Sequence, residues 1–149
     1  MKLKQIKVYH LFWIVAAIIL LIGIVIPEET LDINVHSTYF VISYRDASFV
    51  LFVFYFLSGF GYWLIQKVLK KKLEKWLTIT HAFIVIGSFV FYWLVVLYSK
   101  LFFSNDFPLF DNASYLINIT VVLEFLLISF VGLPIYIANI LVGIFRTNK

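Results

Sequence analysis

The sequence contains no cysteine, few charged residues and only three prolines. Without cysteine, the chain has no disulfide bonds, thiolate metal sites, iron–sulfur clusters or cysteine nucleophile. Charged residues make up 13% of the 149 positions, whereas they make up about 25% of a typical soluble domain. So few polar side chains cannot cover a surface that faces water. This composition excludes a soluble enzyme, and also a disordered or collagen-like chain.

Apolar residues are abundant and fall into long continuous runs. They make up 63% of the chain, and the mean hydropathy is +1.01. Four runs carry at most one charge each and are 20, 20, 24 and 34 residues long. About 20 helical residues span the hydrocarbon core of a bilayer. The pattern predicts an all-α protein with a single integral membrane domain over 1–149, built as a bundle of four transmembrane helices at about 8–27, 47–66, 76–99 and 115–145.

Lysine and arginine are distributed unevenly between the two ends of these runs. Ten of the 12 basic residues flank one side, whereas Arg45 and Lys100 flank the other. Because cytoplasmic loops carry the excess of Lys and Arg, both termini and the 66–75 loop are predicted to be cytoplasmic. Residues 28–46 and 100–114 are then outside. This asymmetry accounts for the pI of about 9.3, so we expect no nucleic acid as a partner.

The outer segment 28–46 is predicted to form an ordered cap. Its short polar side chains can accept hydrogen bonds from backbone N–H groups at helix starts. They are Thr30, Asp32, Ser37 and Thr38. The apolar residues of the segment are expected to dock onto the end of the bundle. They are Leu31, Ile33, Val35, Tyr39 and Phe40.

The three histidines do not form a predicted metal site. His36 lies a membrane thickness away from His10 and His81, which are expected at the interfacial ends of helices one and three. Two imidazoles without a nearby carboxylate or thiolate are a poor ligand set. Pro134 follows Gly132 within the fourth helix and should kink it.

Glu124 is the one charged residue inside a predicted span. A carboxyl group at this depth is costly and normally faces the bundle interior, a partner or water. We expect it to be neutral at pH 7, with Ser48, Tyr55 and Tyr92 as candidate hydrogen-bond partners. It is either a proton or cation relay or a structural carboxyl group bonded to a neighbouring helix.

Arg45 and Asp46 are adjacent charges at the outer mouth of helix two. They are expected to pair across the loop with Asp32 or Glu29. Such exposed ion pairs contribute little to stability.

Residues 31–43, LDINVHSTYFVIS, resemble the LDI-x-x-HDTYYVVA segment of subunit I of the haem–copper cytochrome oxidases. That segment leads from the ninth helix of subunit I into the tenth. Residues 58–68, SGFGYWLIQKV, resemble the end of the tenth helix, and residues 83–89, FIVIGSF, resemble the start of the eleventh. The resemblance implies a fold like the last four helices, ninth to twelfth, of that subunit.

The sequence departs from this family at the haem ligands. In the family the segment is followed by H-F-H, which supplies axial ligands of the haems, whereas Tyr44, Arg45 and Asp46 stand here. A phenol and a carboxylate do not replace neutral imidazoles on a low-spin haem. The copper ligands and the other haem ligand of the family come from earlier helices. The resemblance therefore implies a degenerate relative without haem or copper.

The resemblance also implies that the magnesium site of the family is lost. His36 matches the histidine of its His-Asp pair and Asp32 matches a further acid, but Ser37 replaces the aspartate. One carboxylate and one imidazole do not make a magnesium site. We therefore expect no catalytic residue, no metal and no other cofactor.

Three functions are compatible with these patterns. The first is a non-catalytic, oxidase-subunit-I-like protein of a bacterial inner membrane that serves as an accessory, assembly or scaffold partner of a respiratory complex. It would act by packing its helices against other membrane subunits, or against copies of itself, within the lipid bilayer. The second is a small transporter or quinone- or lipid-binding protein that uses Glu124. The third is an oxidase fragment that completes a haem site with another chain, which a Soret absorbance band would reveal.

Overall fold

Helices of membrane-spanning length make up most of the chain. The computed structural model describes residues 7–103 and 112–145. Within them, the first three spans are helix α1 (Val8–Val25), helix α2 (Tyr44–Trp63) with a π-helical turn at its end (Leu64–Val68), and helix α3 (Lys75–Phe102). The fourth span consists of helix α4 (Asn112–Leu127), a second π-helical turn (Ile128–Gly132) and helix α5 (Leu133–Phe145). All four spans are long and apolar enough to cross a membrane. The prediction of a helical integral membrane protein with four spans is confirmed.

The observed helix ends differ from the predicted ones by a few residues. α1 ends at Val25, and Pro27 follows its last cap residue, because proline cannot continue the hydrogen-bond ladder. α2 begins at Tyr44, so Tyr44, Arg45 and Asp46 belong to its first turn rather than to the loop. The predicted outer loop over 100–114 lies largely outside the described residues, as do both basic termini.

The pairing of α1 with α2 is built on small residues and aromatic rings. The buried positions of α1 are Tyr9, Phe12, Ala16, Ile19 and Gly23. Their spacing of three and four residues places them on one face. A Cβ atom at Gly23 would lie 2.6 Å from Cβ of Ser48, so the missing side chain lets the two backbones approach.

The outer segment forms a β-hairpin, which the sequence analysis did not predict. Strand β1 (Thr30–Val35) pairs antiparallel with β2 (Thr38–Ser43), in a register that joins Thr30 to Ser43 and Val35 to Thr38. His36 and Ser37 make the two-residue turn, and His36 has a φ of 59°. The alternation of apolar and polar residues in LDINV is typical of a strand. The membrane part is all-helical as predicted, whereas the cap is not.

The predicted docking of this cap onto the bundle is wrong for three of its five apolar residues. Val35, Tyr39 and Phe40 are 47%, 61% and 49% exposed, so they do not dock onto the bundle; only Leu31 and Ile33 are half-buried. Side chains turn to opposite faces along a strand, so only part of an apolar segment can reach the bundle.

Ser43 caps α2, although other residues were predicted to do so. Its hydroxyl accepts a hydrogen bond from the Asp46 N–H at 3.1 Å and donates one to Asp46 Oδ2 at 2.7 Å. Thr30 and Thr38 are instead paired in the hairpin. A serine that precedes a helix by one residue satisfies one of the free N–H groups of its first turn.

Pro134 is accommodated by a local widening of the fourth span. The π-helical turn Ile128–Gly132 immediately precedes α5, whose second residue is Pro134. Proline lacks the N–H that would bond one turn earlier, and its ring crowds that turn. A π-helical turn is one of the ways in which a helix absorbs such a disruption. The change of helix type is therefore observed, whereas the kink itself stays a prediction.

Candidate functional site

A cavity of about 560 Å³ lies between the helices, directly below the hairpin. Ile19 and Ile22 of α1 form one wall, and Leu31 and Ile42 of the hairpin border the cavity at its outer end. α2, α3 and α4 supply the other walls. Most of the lining side chains are aliphatic or aromatic. The cavity has a mainly apolar lining with a small number of polar groups, as small-molecule pockets do.

Glu124 lines this cavity from α4. It lies 12 residues after Asn112, where α4 begins, which is about 18 Å along the helix. Its Oε1 atom is buried and has no hydrogen-bond partner among the described residues. Glu124 therefore faces the space between the helices, in agreement with the sequence-based expectation.

The hydrogen bonds predicted for Glu124 are not formed. Tyr55 and Tyr92 do share the cavity with it. However, the Tyr55 hydroxyl donates to the Val85 carbonyl at 2.6 Å, and the Tyr92 hydroxyl lies 3.1 Å from that of Tyr44. Both hydroxyl groups already have a partner, and Oε1 of Glu124 has none among the described residues.

Ser48, the third predicted partner, is buried elsewhere. Its side chain packs against Gly23 of α1, so closely that a Cβ atom added at Gly23 would lie 2.6 Å from the Cβ of Ser48. It belongs to the contact between α1 and α2. Tyr55 and Tyr92 do line the cavity with Glu124 and Ser48 does not, because the direction in which a side chain points depends on helix rotation.

Arg45 and Asp46 do not form the predicted ion pairs. Asp46 borders the cavity at its outer mouth and bonds to Ser43. Arg45 is exposed. Within the described residues, Arg45 forms no ion pair with Asp32 or Glu29. The backbone carbonyl of Glu29 instead accepts a hydrogen bond from the Tyr44 N–H at 2.8 Å.

His36 and Asp32 both lie on the hairpin and are exposed. Asp32 accepts a hydrogen bond from Tyr39, which raises the pKa of that phenol because deprotonation would place a second negative charge beside the carboxylate. His36 stands at the tip of the turn. Within residues 7–103 and 112–145, no three His, Asp or Glu side chains converge as metal ligands would.

His81 is buried, contrary to the prediction that it lies at an interface. It is 1% exposed, and its Nδ1 lies 2.8 Å from the Tyr62 hydroxyl. Its ring stacks on Phe12, with centroids 5.3 Å apart. α3 begins at Lys75, so His81 already lies within its second turn, where α1 and α2 cover it. His10, by contrast, is exposed.

Asn139 completes this inner polar cluster and was missed by the sequence analysis. It is fully buried in α5. Its amide donates to Thr78 Oγ1 at 2.8 Å and accepts from the Glu74 N–H at 3.1 Å. The signal was the spacing of polar residues in α3, because Thr78, His81 and Ser88 fall at intervals of three and seven on one face. The cluster joins α2, α3 and α5.

Comparison with protein-family models, with curated proteins and with solved structures gave no match. Nothing in these comparisons links the chain to subunit I of the cytochrome oxidases. The geometry of the chain itself is therefore the basis for assigning a function.

Proposed function

We propose that this protein is a membrane-embedded binding protein for a lipid-soluble amphiphile, a molecule with an apolar body and a polar head. The observation that supports this proposal is the buried, unpartnered Oε1 of Glu124 in the wall of the outer cavity. An unsatisfied polar atom in an apolar site costs free energy. A ligand head that bonds to it recovers part of that cost, so the site favours occupancy.

The size and lining of the cavity suit such a ligand. Its volume of about 560 Å³ falls within the range of roughly 300–1,000 Å³ that is typical of small-molecule sites. Apolar walls accept a hydrocarbon or aromatic body. Glu124 and the hydroxyl groups of Tyr44 and Tyr92 offer fixed polar contacts to a head group, which a quinone or a lipid would provide.

A route into the cavity lies between α2 and α4. In the described part of the chain, no Cα atom of α2 is within 8 Å of one in α4. Val50 and Leu51 of α2 and Val121 and Phe125 of α4 all line the cavity. A molecule dissolved in the bilayer can enter sideways through such a gap without crossing water. This route favours a lipid-soluble ligand over a water-soluble one.

Quenching of tryptophan fluorescence tests the proposal. Trp93 lines the cavity, whereas Trp76 is 77% exposed at the start of α3. A benzoquinone with a short alkyl tail should quench the wild-type protein with a saturable dependence on concentration. Trp93→Phe should abolish the saturable part and Trp76→Phe should retain it. Linear quenching that is equal in both variants would contradict the proposal.

The affinity of that probe should depend on Glu124. Loss of one hydrogen bond to a buried carboxyl group costs about 1.5 kcal/mol, which corresponds to roughly tenfold in dissociation constant. Glu124→Ala should therefore weaken saturable quenching about tenfold. Glu28→Gln, a change at an exposed acid outside the cavity, should leave the affinity unchanged.

A second candidate is the accessory or scaffold role in a respiratory membrane complex. One observation favours it: only 11% of the most apolar 18-residue stretch of the fourth span is buried inside the protein, against 28–33% of the corresponding stretches of the other spans. A photo-reactive residue at Phe130, which is 75% exposed on that span, should then cross-link to a discrete second subunit. Phe83, 79% exposed on α3, is the matched control. Lipid adducts alone at Phe130 would argue against this role.

A further inference from the structure

The cavity is lined by acidic groups and by no basic ones. Glu124 and Asp46 both border it, and no Lys, Arg or His side chain is among the described residues of its lining. Glu29 lies near the same mouth, since its carbonyl accepts a hydrogen bond from the Tyr44 N–H at 2.8 Å. The acidic side chains at the mouth attract cations and repel anions. The charge of the lining therefore restricts the class of head group that fits.

Aromatic rings surround the same space. Phe54, Phe89, Trp93 and Phe125 line the cavity together with the tyrosines. The face of an aromatic ring carries negative potential, so it attracts a cation, and the attraction increases when water is excluded. Rings and a carboxyl group together form the chemistry that recognises alkylated ammonium and similar cations.

We infer that the cavity takes a lipophilic cation, such as a hydrophobic amine, quaternary ammonium or phosphonium compound, in exchange for the proton on Glu124. The inference rests on the proposed function, because it specifies the ligand of the same cavity. No basic side chain among the described residues of the lining could balance an ionised Glu124, and the apolar walls disfavour its charge, so the carboxyl group holds its proton. An arriving cation supplies the missing positive charge.

The exchange conserves charge and involves no redox chemistry. The O–H bond of the Glu124 carboxyl group breaks, its electron pair stays on the oxygen, and the proton leaves for the outer aqueous phase. Loss of the proton leaves a carboxylate with one negative charge. The bound cation brings one positive charge, so the net charge of the cavity is the same before and after the exchange. One proton is released for each cation bound.

The other titratable groups around Glu124 do not replace it in this exchange. α1 contributes Ile19 and Ile22, and the hairpin contributes Leu31 and Ile42, none of which titrates. The titratable groups that α2 and α3 direct toward the cavity are the three phenols and one carboxyl group of Tyr44, Tyr55, Tyr92 and Asp46. Asp46 is held at the exposed mouth by Ser43. Glu124, which is half-buried with its Oε1 atom fully buried, is therefore the acid inside the cavity that the ligand reaches.

Calorimetry with tetraphenylphosphonium tests the exchange on the purified full chain in mild detergent. Titrations in two buffers of different ionisation enthalpy give the number of protons released per cation bound. The wild-type protein should release close to one proton. Because the proton competes with the cation, the apparent affinity should fall about tenfold for each pH unit below the point at which Glu124 is fully protonated. Binding without proton release would overturn the inference.

Variants and a neutral probe make the result specific. Glu124→Gln should weaken cation binding at least tenfold and abolish proton release, whereas Glu28→Gln should change neither. Triphenylphosphine oxide, an uncharged aromatic compound of similar size, should bind more weakly and release no proton. If the neutral compound binds in the cavity and the cation does not, the inference fails and the proposed function stands. If neither compound binds and the benzoquinone also fails to give saturable quenching, both fail.

A measurement on the wild-type protein covers the case in which Glu124→Gln does not fold. Infrared spectroscopy follows the C=O band of a protonated carboxyl group directly. Saturating tetraphenylphosphonium should remove the band assigned to Glu124 and produce carboxylate bands. A C=O band that persists at full occupancy would overturn the exchange.

Discussion

Glu124 combines a group that can ionise with surroundings that cannot solvate its charge. Its Oε1 is buried without a partner, and the nearby Tyr55 and Tyr92 hydroxyl groups are engaged with Val85 and Tyr44. In an apolar site an isolated carboxylate is far more costly than a neutral carboxyl group. The residue is therefore suited to hold a proton in the absence of a ligand.

We predict that infrared spectra of the ligand-free protein at neutral pH contain the C=O band of a protonated carboxyl group. Glu124→Gln should remove this band because, among the described residues, Asp46, the other acid in a span, is exposed in the first turn of α2. Glu28→Gln, at an exposed position, should leave it in place. The prediction fails if the band is missing from the wild-type spectrum or survives in Glu124→Gln.

Gly23 fixes the distance between α1 and α2. A Cβ atom at this position would lie 2.6 Å from Cβ and 2.9 Å from Oγ of Ser48. Both contacts are shorter than van der Waals packing allows, so an added methyl group would force the helices apart. Close approach at small residues is a main source of helix association in membranes.

We predict that Gly23→Ala lowers the free energy of unfolding by about 1–3 kcal/mol, the usual cost of overpacking. Denaturation in mixed micelles, followed by circular dichroism, measures the change. Gly87→Ala is the matched control, since a Cβ there would meet no other atom within 4 Å in the described part of the chain. An equal effect of both substitutions would show that loss of glycine, rather than crowding, is responsible.

At the scale of secondary-structure elements, one side chain attaches the hairpin to α4. Asn118 Oδ1 accepts from the Asn34 N–H at 2.8 Å, and Asn118 Nδ2 donates to the Asn34 carbonyl at 3.1 Å. The amide thus pairs with the free edge of β1 as a neighbouring strand would. It occupies an edge that otherwise exposes unpaired backbone groups.

We predict that Asn118→Ala increases hydrogen exchange in residues 30–43 by roughly tenfold or more. Two hydrogen bonds are lost, each worth about 1 kcal/mol. Asn34→Ala should have little effect, because the bonds use only the backbone of Asn34. Mass spectrometry of exchanging peptides gives the rates. Unchanged protection in Asn118→Ala would mean that packing of the half-buried Leu31 and Ile33 is enough to hold the hairpin.

At the scale of the whole molecule, orientation in the membrane follows from charge rather than from shape. The bundle has helices long enough to cross a bilayer, and either orientation would bury the same apolar surface. Lysine is concentrated at one end, where Lys67, Lys70, Lys71, Lys72 and Lys75 lie between α2 and α3 or at their ends. The insertion machinery retains such loops in the cytoplasm.

We predict opposite sidedness for residues 37 and 71. The chain has no cysteine of its own, so Ser37→Cys and Lys71→Cys each introduce a unique label site. A membrane-impermeant maleimide added to intact cells should modify residue 37 only. Residue 71 should react only after the membrane is opened. Labelling of both sites from the same side would contradict the predicted topology.

Four helices of membrane-spanning length could be predicted from the amino-acid sequence. Long apolar runs bury enough surface in lipid to fix a helix whatever its neighbours are, because each helix satisfies its own backbone hydrogen bonds. The same reasoning identified Glu124 as the buried acid, since its depth depends only on distance along a helix. The helix ends shifted by a few residues because caps such as Ser43 act locally.

Which side chains contact each other depends on the tertiary structure. Rotation of each helix about its axis is set by close packing, such as Gly23 against Ser48, and the sequence does not state it. For this reason Tyr55 and Tyr92 share the cavity with Glu124 but donate elsewhere, while His81 and Asn139 are buried in a cluster that was not predicted. The hairpin is likewise a product of pairing between strands, because its apolar residues can face the bundle only on one side of the pleat.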